Sequence, residues 1–356
     1  MSDQVIIIAE AGVNYNVDIG LAKKMVKAAA ESGADYVKFQ TGVPKLDVSV
    51  FAEKAAYQKV NTRDTQGSES QLEMCSKLML PFEVYPELVD CCEEHHIKFL
   101  SSPFDPACAR FLHELGMHLW KIPSGEITHF PMLKVIASYG EPVIMSTGMA
   151  TMQEIETSLN YLKENGAGPV ILLHCNSEYP TPYPDTNLRA MDTMKEYFGL
   201  EVGYSDHTLG IEVPIAAVAR GARIIEKHFT LDRTMEGPDQ ISSLEPDELK
   251  QMIVSIRHVE AALGSGIKQP TASEIKNINI VRKSIVAEGF IRKGELFTEN
   301  NLACKRPGGG ISPMEWDIVI GKTPTERGNS SFTSKEVSVK GDGGTVGGNT
   351  PLMKQL

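Results

Sequence analysis

The sequence predicts a closed barrel of eight parallel strands and eight helices, the (β/α)8 or TIM barrel, followed by a smaller β-rich domain. Two observations predict this architecture. Short strand-forming runs alternate with amphipathic helical segments up to about residue 264, and such alternation is typical of parallel α/β folds. After residue 281 the alternation stops, and short strand-like runs such as KSIVA follow one another.

Eight runs rich in apolar and β-branched residues are the predicted barrel strands. In chain order they are VIIIAE (5–10), YVKFQT (36–41), IKFLSSP (97–103), HLWKIPS (118–124), PVIMST (142–147), VILLHC (170–175), EVGYSD (201–206) and RIIEKHFT (223–230). The competing fold is a doubly wound open sheet, which would be indicated by a glycine-rich phosphate-binding turn after an early strand. The segment AEAGVNYN lacks that fingerprint.

The sequence predicts four regions. Residues 1–264 form the barrel, 265–280 a linker, 281–340 the small domain and 341–356 a glycine-rich, disordered tail. The second crossover of the barrel, residues 42–96, is unusually long. It is either a lid over the barrel mouth or a mobile surface excursion.

Composition excludes several classes of function. The net charge is −11 and no block of Lys or Arg is present, which argues against nucleic-acid binding. The apolar runs are too short to cross a membrane, and the N-terminal MSDQVIII is unlike a secretion signal. The six cysteines show no CxxC spacing. We therefore expect a cytoplasmic protein with reduced thiols and no disulfide framework or zinc knuckle.

Polar and ionisable residues follow the apolar part of every predicted strand, where a barrel enzyme carries its active site. These residues are Glu10, Lys38, Gln40, Ser102, Lys121, Ser124, Glu126, Ser146, Thr147, Asn176, Tyr179, Ser205, Asp206, His207 and His228. A barrel with a purely structural role needs no such ring, whereas a polar active site does.

Two histidines in this ring form a candidate metal pair. His207 and His228 end strands seven and eight, which are neighbours in the barrel. Two imidazoles with oxygen ligands suit a divalent transition metal ion. The alternative is that each histidine is an ordinary buried side chain. We assign no chemistry to the other seven histidines, and His174 is expected to be structural.

Two lysines lie inside predicted strands, where an unpaired charge is unfavourable. Lys38 and Lys121, converging with the strand-end serines, would make a site for a carboxylate and a phosphate. The alternatives are that each lysine pairs with a barrel carboxylate such as Glu10 or Glu126, or that one forms a Schiff base, as in barrel aldolases.

The motifs resemble those of the bacterial sialic acid synthases. The matching stretches run in order from residue 5 to residue 322 and include AEAGVN, VKFQT, SSPFD, KIPSGE, STGMAT, GYSDHTLG, EKHFTLD and KRPGGGISPMEW. The resemblance implies a TIM barrel with a C-terminal antifreeze-like (SAF) domain, in a domain-swapped homodimer. It also implies condensation of phosphoenolpyruvate with an N-acetylated amino sugar and release of phosphate.

The resemblance also implies roles for individual residues. His207 and His228 would hold a divalent metal, Mn²⁺ or alternatively Mg²⁺ or Co²⁺. We assign catalytic roles to Glu126, Glu10 and Lys121. Substrate binding is assigned to Lys38, Gln40, Ser102, Ser124, Ser146, Asn176, Ser177, Tyr179, Ser205, Asp239 and, from the partner's small domain, Arg306.

The acceptor sugar stays open at this point. N-acetylmannosamine, giving N-acetylneuraminate, is the first expectation. The alternative is 2,4-diacetamido-2,4,6-trideoxymannose, giving N,N'-diacetyllegionaminate, because GEITHFP resembles that branch slightly more. Remoter alternatives are a Schiff-base pyruvate aldolase and a non-catalytic sugar-binding barrel.

Overall fold

The computed structural model of the protein describes residues 4–64, 67–292, 294–323, 333–334 and 352–353. The chain divides into two compact units, Met1–Ser265 and Gly266–Leu356. None of the described helices combines the length and apolar character needed to cross a membrane.

Eight parallel strands form the sheet of the first unit, in the order β3-β2-β1-β8-β7-β6-β5-β4. Strand β1 pairs with β8, and β3 lies beside β4 at the remaining seam. This near-closed barrel confirms the predicted fold, and every predicted strand overlaps an observed one. The strands are β1 (Ile6–Gly12), β2 (Tyr36–Thr41), β3 (Lys98–Pro103), β4 (Trp120–Ile122), β5 (Val143–Ser146), β6 (Val170–His174), β7 (Val202–Asp206) and β8 (Ile224–His228).

Helices surround the barrel and bury an apolar face against its strands. The first shows why the chain is helical there: Asp18 caps its N-terminus by accepting from the amide of Leu21, and Gly33 ends it with a φ of 90°. The barrel helices are α1 (Ile19–Ser32), α5 (Tyr85–Glu94), α6 (Pro106–Glu114), α7 (Phe130–Ser138), α8 (Met152–Glu164), α9 (Ala190–Phe198), α10 (Glu212–Ala219) and α11 (Pro246–Leu263).

The long second crossover contains α2 (Pro44–Asp47), α3 (Ala56–Asn61) and α4 (Gln71–Ser76) before α5. It is anchored onto loops at the barrel mouth. The Asn61 amide donates to the carbonyl oxygens of Tyr179 and Pro238, at 3.1 and 2.7 Å. The Tyr57 ring packs on that of Tyr179 with 5.0 Å between centroids. These contacts favour the lid interpretation of the crossover over a mobile excursion.

The second unit is small and has its own apolar core. It contains α12 (Ala272–Val281), β9 (Ser284–Ala287), β10 (Leu302–Lys305) and α13 (Trp316–Val319). Strands β9 and β10 pair antiparallel, and the core beside them includes Ile285, Phe297 and Leu302. The segment predicted as a linker, 265–280, contains most of α12.

The predicted tail, 341–356, lies outside the described residues except for two of them. Leu352–Met353 form β12, which pairs antiparallel with β11 (Thr333–Ser334). The sequence did not indicate this short strand pair.

Candidate active site

Four buried charged side chains meet inside the barrel. Lys38 Nζ lies 2.7 Å from Glu10 Oε2 and 3.7 Å from Glu226 Oε2, and Lys121 Nζ lies 3.3 Å from Glu226 Oε1. The register pairs Glu10 with Lys38 on neighbouring strands, so the two side chains project side by side. The lysines therefore do pair with barrel carboxylates. One carboxylate is the expected Glu10, but the other is Glu226 and not Glu126.

Burial sets the protonation behaviour of this cluster. Loss of solvent raises the pKa of Glu10 to about 7, although Lys38 opposes the shift. Burial also acts to raise the pKa of Glu226, but Lys121 and Lys38 together hold it below its usual value. Burial lowers the pKa of Lys121. The cluster thus sets two lysines against two carboxylates, and protonation of Glu10 would leave positive charge for an anionic ligand.

Polar side chains extend the cluster towards the mouth. Lys38 donates to Ser102 Oγ at 3.1 Å, and Ser205 Oγ donates to Glu226 at 3.0 Å. Gln40 donates to Glu10 Oε1 at 3.3 Å. Ser146 Oγ is buried and makes no hydrogen bond within the described part of the chain. A buried hydroxyl without a partner is unfavourable, so this group is available to a ligand.

A second group of predicted residues surrounds Gly148. Ser124 Oγ accepts from the amide of Gly148 at 3.0 Å and lies 3.1 Å from Cys175 Sγ. A side chain added at Gly148 would approach Ser177 Oγ to 2.5 Å and Ser124 Oγ to 2.8 Å. Glycine at this position is what allows the two serines to lie so close to the β5 loop.

The two candidate metal ligands do meet at the mouth. The rings of His207 and His228 have centroids 5.4 Å apart. His207 Nδ1 lies 2.5 Å from the carbonyl oxygen of Asn176, which leaves its Nε2 as the free ligand nitrogen. His228 Nδ1 is buried without a hydrogen-bond partner among the described residues, and Asp239 Oδ2 lies 3.9 Å from it.

Burial keeps both imidazoles in the neutral form that binds metal. It lowers the pKa of His207 to about 4 and that of His228 well below its ordinary value, where His207 adds to the effect. Burial also raises the pKa of Asp239 to about 6. Two neutral imidazoles, one orphaned buried nitrogen and a nearby carboxyl fit a divalent cation such as Mn²⁺, Co²⁺ or Zn²⁺.

Tyr179 completes this side of the site. Its ring lies 4.1 Å from that of His207 and meets His228 edge-on at 5.6 Å, measured between centroids. The loop that carries it is held by Asn176, whose side-chain oxygen accepts from the amide of Glu178 at 2.9 Å. Asn176, Tyr179 and both histidines therefore form one compact wall.

Glu126 lies in a separate environment. It follows β4 in a 3-10 turn, Ser124–Glu126, and its Oε2 is 2.5 Å from Nδ1 of His129. Burial raises the pKa of Glu126, while the hydrogen bond from His129 lowers it. No hydrogen bond or ion pair joins Glu126 to the lysine cluster or the metal pair within the described residues. Arg306 lies in the second unit and is exposed.

Sequence reasoning missed three residues of the site. Glu226 lies two positions before His228 and so faces the same side of β8, a parity that could have identified it. His129 is the partner of Glu126 in the next turn. Gly12 follows a β-bulge in β1 with a φ of 54°, and a side chain there would lie 3.3 Å from His228 Cε1. Only the folded register reveals that approach.

The site can be compared with known proteins. Residues 25–268 match the model of the NeuB family, which is more than half of the chain. The chain belongs to the NeuB family. Residues 282–326 of this NeuB protein match the SAF domain. Both findings confirm the predicted family and the SAF class of the small domain.

Relatives of this NeuB protein include two N,N'-diacetyllegionaminic acid synthases. The Campylobacter jejuni enzyme is 52% identical over 90% of this chain and 96% of its own. The Legionella pneumophila enzyme is 45% identical over 88% of this chain and 89% of its own. The crystal structure of a Leptospira borgpetersenii N-acetylneuraminic acid synthetase aligns with a TM-score of 0.69 and 35% identity, over 78% of this chain and 90% of that one. The expectation that the chain is a sugar acid synthase is confirmed.

Proposed function

We propose that this NeuB protein condenses phosphoenolpyruvate with 2,4-diacetamido-2,4,6-trideoxymannose to give N,N'-diacetyllegionaminate and phosphate. The observation that carries the choice of acceptor is the 52% identity to the Campylobacter jejuni N,N'-diacetyllegionaminic acid synthase over 96% of that enzyme. N-acetylmannosamine was the first expectation from the sequence and becomes the second candidate. It is supported by the likeness to the Leptospira synthetase.

The lysine cluster is our proposed site for phosphoenolpyruvate. Lys38 and Lys121 supply the positive charge for its carboxylate and phosphate, and the unpartnered hydroxyl of Ser146 supplies a hydrogen bond. The other serines assigned to this substrate are Ser102, Ser124 and Ser205. Gln40, Asn176 and Ser177 are assigned to substrate binding without a choice between donor and acceptor. Fixing the donor in this way converts a collision into an oriented encounter.

The histidine pair is our proposed metal site, with Mn²⁺ the expected ion. His207 and His228 would hold it, and when bound it would act as a Lewis acid on the aldehyde oxygen of the open-chain sugar. Tyr179, Asp239 and Glu10 would hold the sugar. Tyr179 and Asp239 both lie against His228, so the aldehyde end of the acceptor would be held at this wall.

The proposed reaction balances without a redox partner. A C–C bond forms between C3 of phosphoenolpyruvate and the aldehyde carbon, which takes up a proton on its oxygen. Water adds to the cationic C2, and the C2–O bond to phosphate then breaks. We propose that Glu126, whose pKa is raised by burial, exchanges protons with that water and the leaving phosphate.

The deciding experiment compares acceptors. Purified protein with Mn²⁺ and phosphoenolpyruvate is given each sugar separately, and product mass and phosphate release are followed. We expect kcat/KM to be more than about tenfold higher for the diacetamido sugar, because an unmatched buried polar group costs at least that much. Faster turnover of N-acetylmannosamine would reverse the assignment. Borohydride with pyruvate should not inactivate the enzyme, since the proposed reaction forms no imine.

We further propose a cytoplasmic, domain-swapped homodimer in which Arg306 of one chain completes the partner's site. The resemblance supports this, and none of the six cysteines is paired in a disulfide. Mixing inactive His228→Ala and Arg306→Ala proteins under subunit exchange should restore about a quarter of wild-type activity, because half the dimers then carry one complete site. If Arg306 served its own barrel, the mixture would stay inactive.

A further inference from the structure

Three metal-binding side chains meet at the end of the barrel opposite the mouth. His113 lies near the end of α6, His118 precedes β4 and Glu141 precedes β5. One nitrogen or oxygen atom from each lies within 4.8 Å of the others. The amino-terminal ends of the strands lie here, whereas the active site is at their carboxyl ends. This group of three, the base cluster, is therefore separate from the proposed catalytic machinery.

Glu141 is the centre of the base cluster. Its Oε1 lies 2.5 Å from His118 Nδ1, and its Oε2 lies 3.9 Å from His113 Nδ1. The His113 nitrogen is buried and makes no hydrogen bond within the described residues. It is too far from Glu141 Oε2 for a direct hydrogen bond. That gap is larger than a hydrogen bond and is of the size that a bridging atom fills.

Neighbouring side chains fix the orientation of the ligands. Trp120 Nε1 donates to Glu141 Oε2 at 2.8 Å, which holds the carboxylate in place. The His113 ring is stacked on the Tyr139 ring, with 3.8 Å between centroids and 18° between planes. Support of this kind for ligand side chains is characteristic of protein metal sites, because it sets ring orientation before the ion arrives.

We propose that His113, His118 and Glu141 bind one Zn²⁺-like divalent transition metal ion. Two imidazoles and one carboxylate are donors that Zn²⁺, Co²⁺ and Ni²⁺ accept, with a fourth position open to water. The His118 side chain is 69% exposed, so ion and water have access. On binding, the His118 to Glu141 hydrogen bond is exchanged for two metal–ligand bonds. The ion would tie the end of α6 to the starts of β4 and β5.

The test counts bound metal. Protein is stripped with a chelator, dialysed against Zn²⁺ or Co²⁺, and its metal content measured per chain. We expect the His207→Ala/His228→Ala double variant to retain one ion, and the same variant with His118→Ala added to retain none. Co²⁺ bound to the double variant should show visible d–d bands that His118→Ala removes.

Glu141→Gln provides a second variant, because its amide oxygen can still accept from Trp120 while the charged ligand is lost. It should bind at least tenfold more weakly. The matched control is His258→Ala, which changes an exposed histidine on α11. Added to the double variant, it should leave the metal affinity unchanged. Bound metal should also raise the Tm of the double variant, and adding His118→Ala should abolish that rise.

Two results would overturn the base-cluster proposal. One is a double variant that retains no ion. The other is a bound ion that survives both His118→Ala and Glu141→Gln. The proposal of a catalytic metal site can be refuted independently of the base-cluster proposal. If only that proposal is wrong, wild-type protein and the double variant bind the same single ion, and His118→Ala removes it from both.

Discussion

The two ends of the barrel each bring a pair of histidines together, but in opposite environments. At the mouth, His207 and His228 are 5% and 4% exposed and belong to a wall with Tyr179. At the base, the side chains of His113 and His118 are 35% and 69% exposed and share the carboxylate of Glu141. The difference shows that burial, and not residue type, decides what a histidine pair can do.

Burial at the mouth excludes the charged imidazole and leaves nitrogen lone pairs for a ligand. It also requires the nearby lysines and carboxylates to balance one another, since an uncompensated buried charge is costly. The base cluster faces water and does not carry that constraint. It can therefore lose a ligand without disturbing the interior, whereas the mouth cannot.

The largest effect is expected from His228→Ala. Loss of one of the two imidazole ligands should lower kcat/KM more than about 100-fold, since changes behind a metal ligand already cost about 10–100-fold. Phosphate release measures it, and circular dichroism should show an intact fold. His118→Ala is the control at the base and should leave kcat/KM unchanged. Comparable losses in the two variants would remove the distinction between the ends.

Glu226→Gln should destabilise the protein by about 3 kcal/mol, because it leaves Lys121 buried without a carboxylate. Urea denaturation followed by fluorescence measures the loss. Glu141→Gln makes the same chemical change at the base, and in metal-free protein it should cost only about 1 kcal/mol, the value of one hydrogen bond. Equal losses would mean that the interior cluster is not electrostatically balanced by Glu226.

Much of the mouth could be predicted from the sequence because strand ends are local features. The apolar runs that end at Asp206 and His228 can be recognised in the sequence. Because consecutive strands are neighbours in a (β/α)8 barrel, β7 and β8 are then expected to be adjacent. Glu226 was within reach, because it has the same strand parity as His228. It lies inside β8 and not at its end, so a search limited to strand ends does not include it.

The base cluster could not be predicted in this way. His113 and Glu141 are 28 residues apart and come from a helix end and a strand start. Their approach depends on the lengths of α6 and α7 and on how each turns back to the sheet. No periodicity in the sequence encodes such a meeting. The closeness of Gly12 to His228 could not be predicted either, because it follows from a β-bulge that shifts the register of β1 against β2.

Gly12→Ala and Gly116→Ala separate backbone strain from crowding. Both glycines have positive φ, 54° and 95°, so alanine should cost about 1–2 kcal/mol at either position. Only at Gly12 would the new methyl group meet His228, at 3.3 Å, while Gly116 near the base has open space. We expect similar losses of Tm but lower Mn²⁺ affinity and activity for Gly12→Ala alone. Equal activity in the two variants would contradict a role for that approach.

The smallest expected effect is a change of pH dependence in His129→Ala. Burial raises the pKa of Glu126, and the hydrogen bond and charge of His129 oppose that rise. Without His129 the pKa of Glu126 should therefore move further up. If turnover needs the ionised carboxylate, the acid limb of the kcat profile shifts to higher pH. If it needs the protonated form, the alkaline limb shifts in the same direction.

His258→Ala, at an exposed position on α11, should leave the pH profile unchanged. A fall in kcat at every pH without any displacement of the limbs would show that His129 acts on the shape of the site and not on the protonation of Glu126. Because the base cluster has no part in proton transfer, His118→Ala should also leave both limbs unchanged. A displaced limb in that variant would show that the two ends of the barrel are electrostatically coupled.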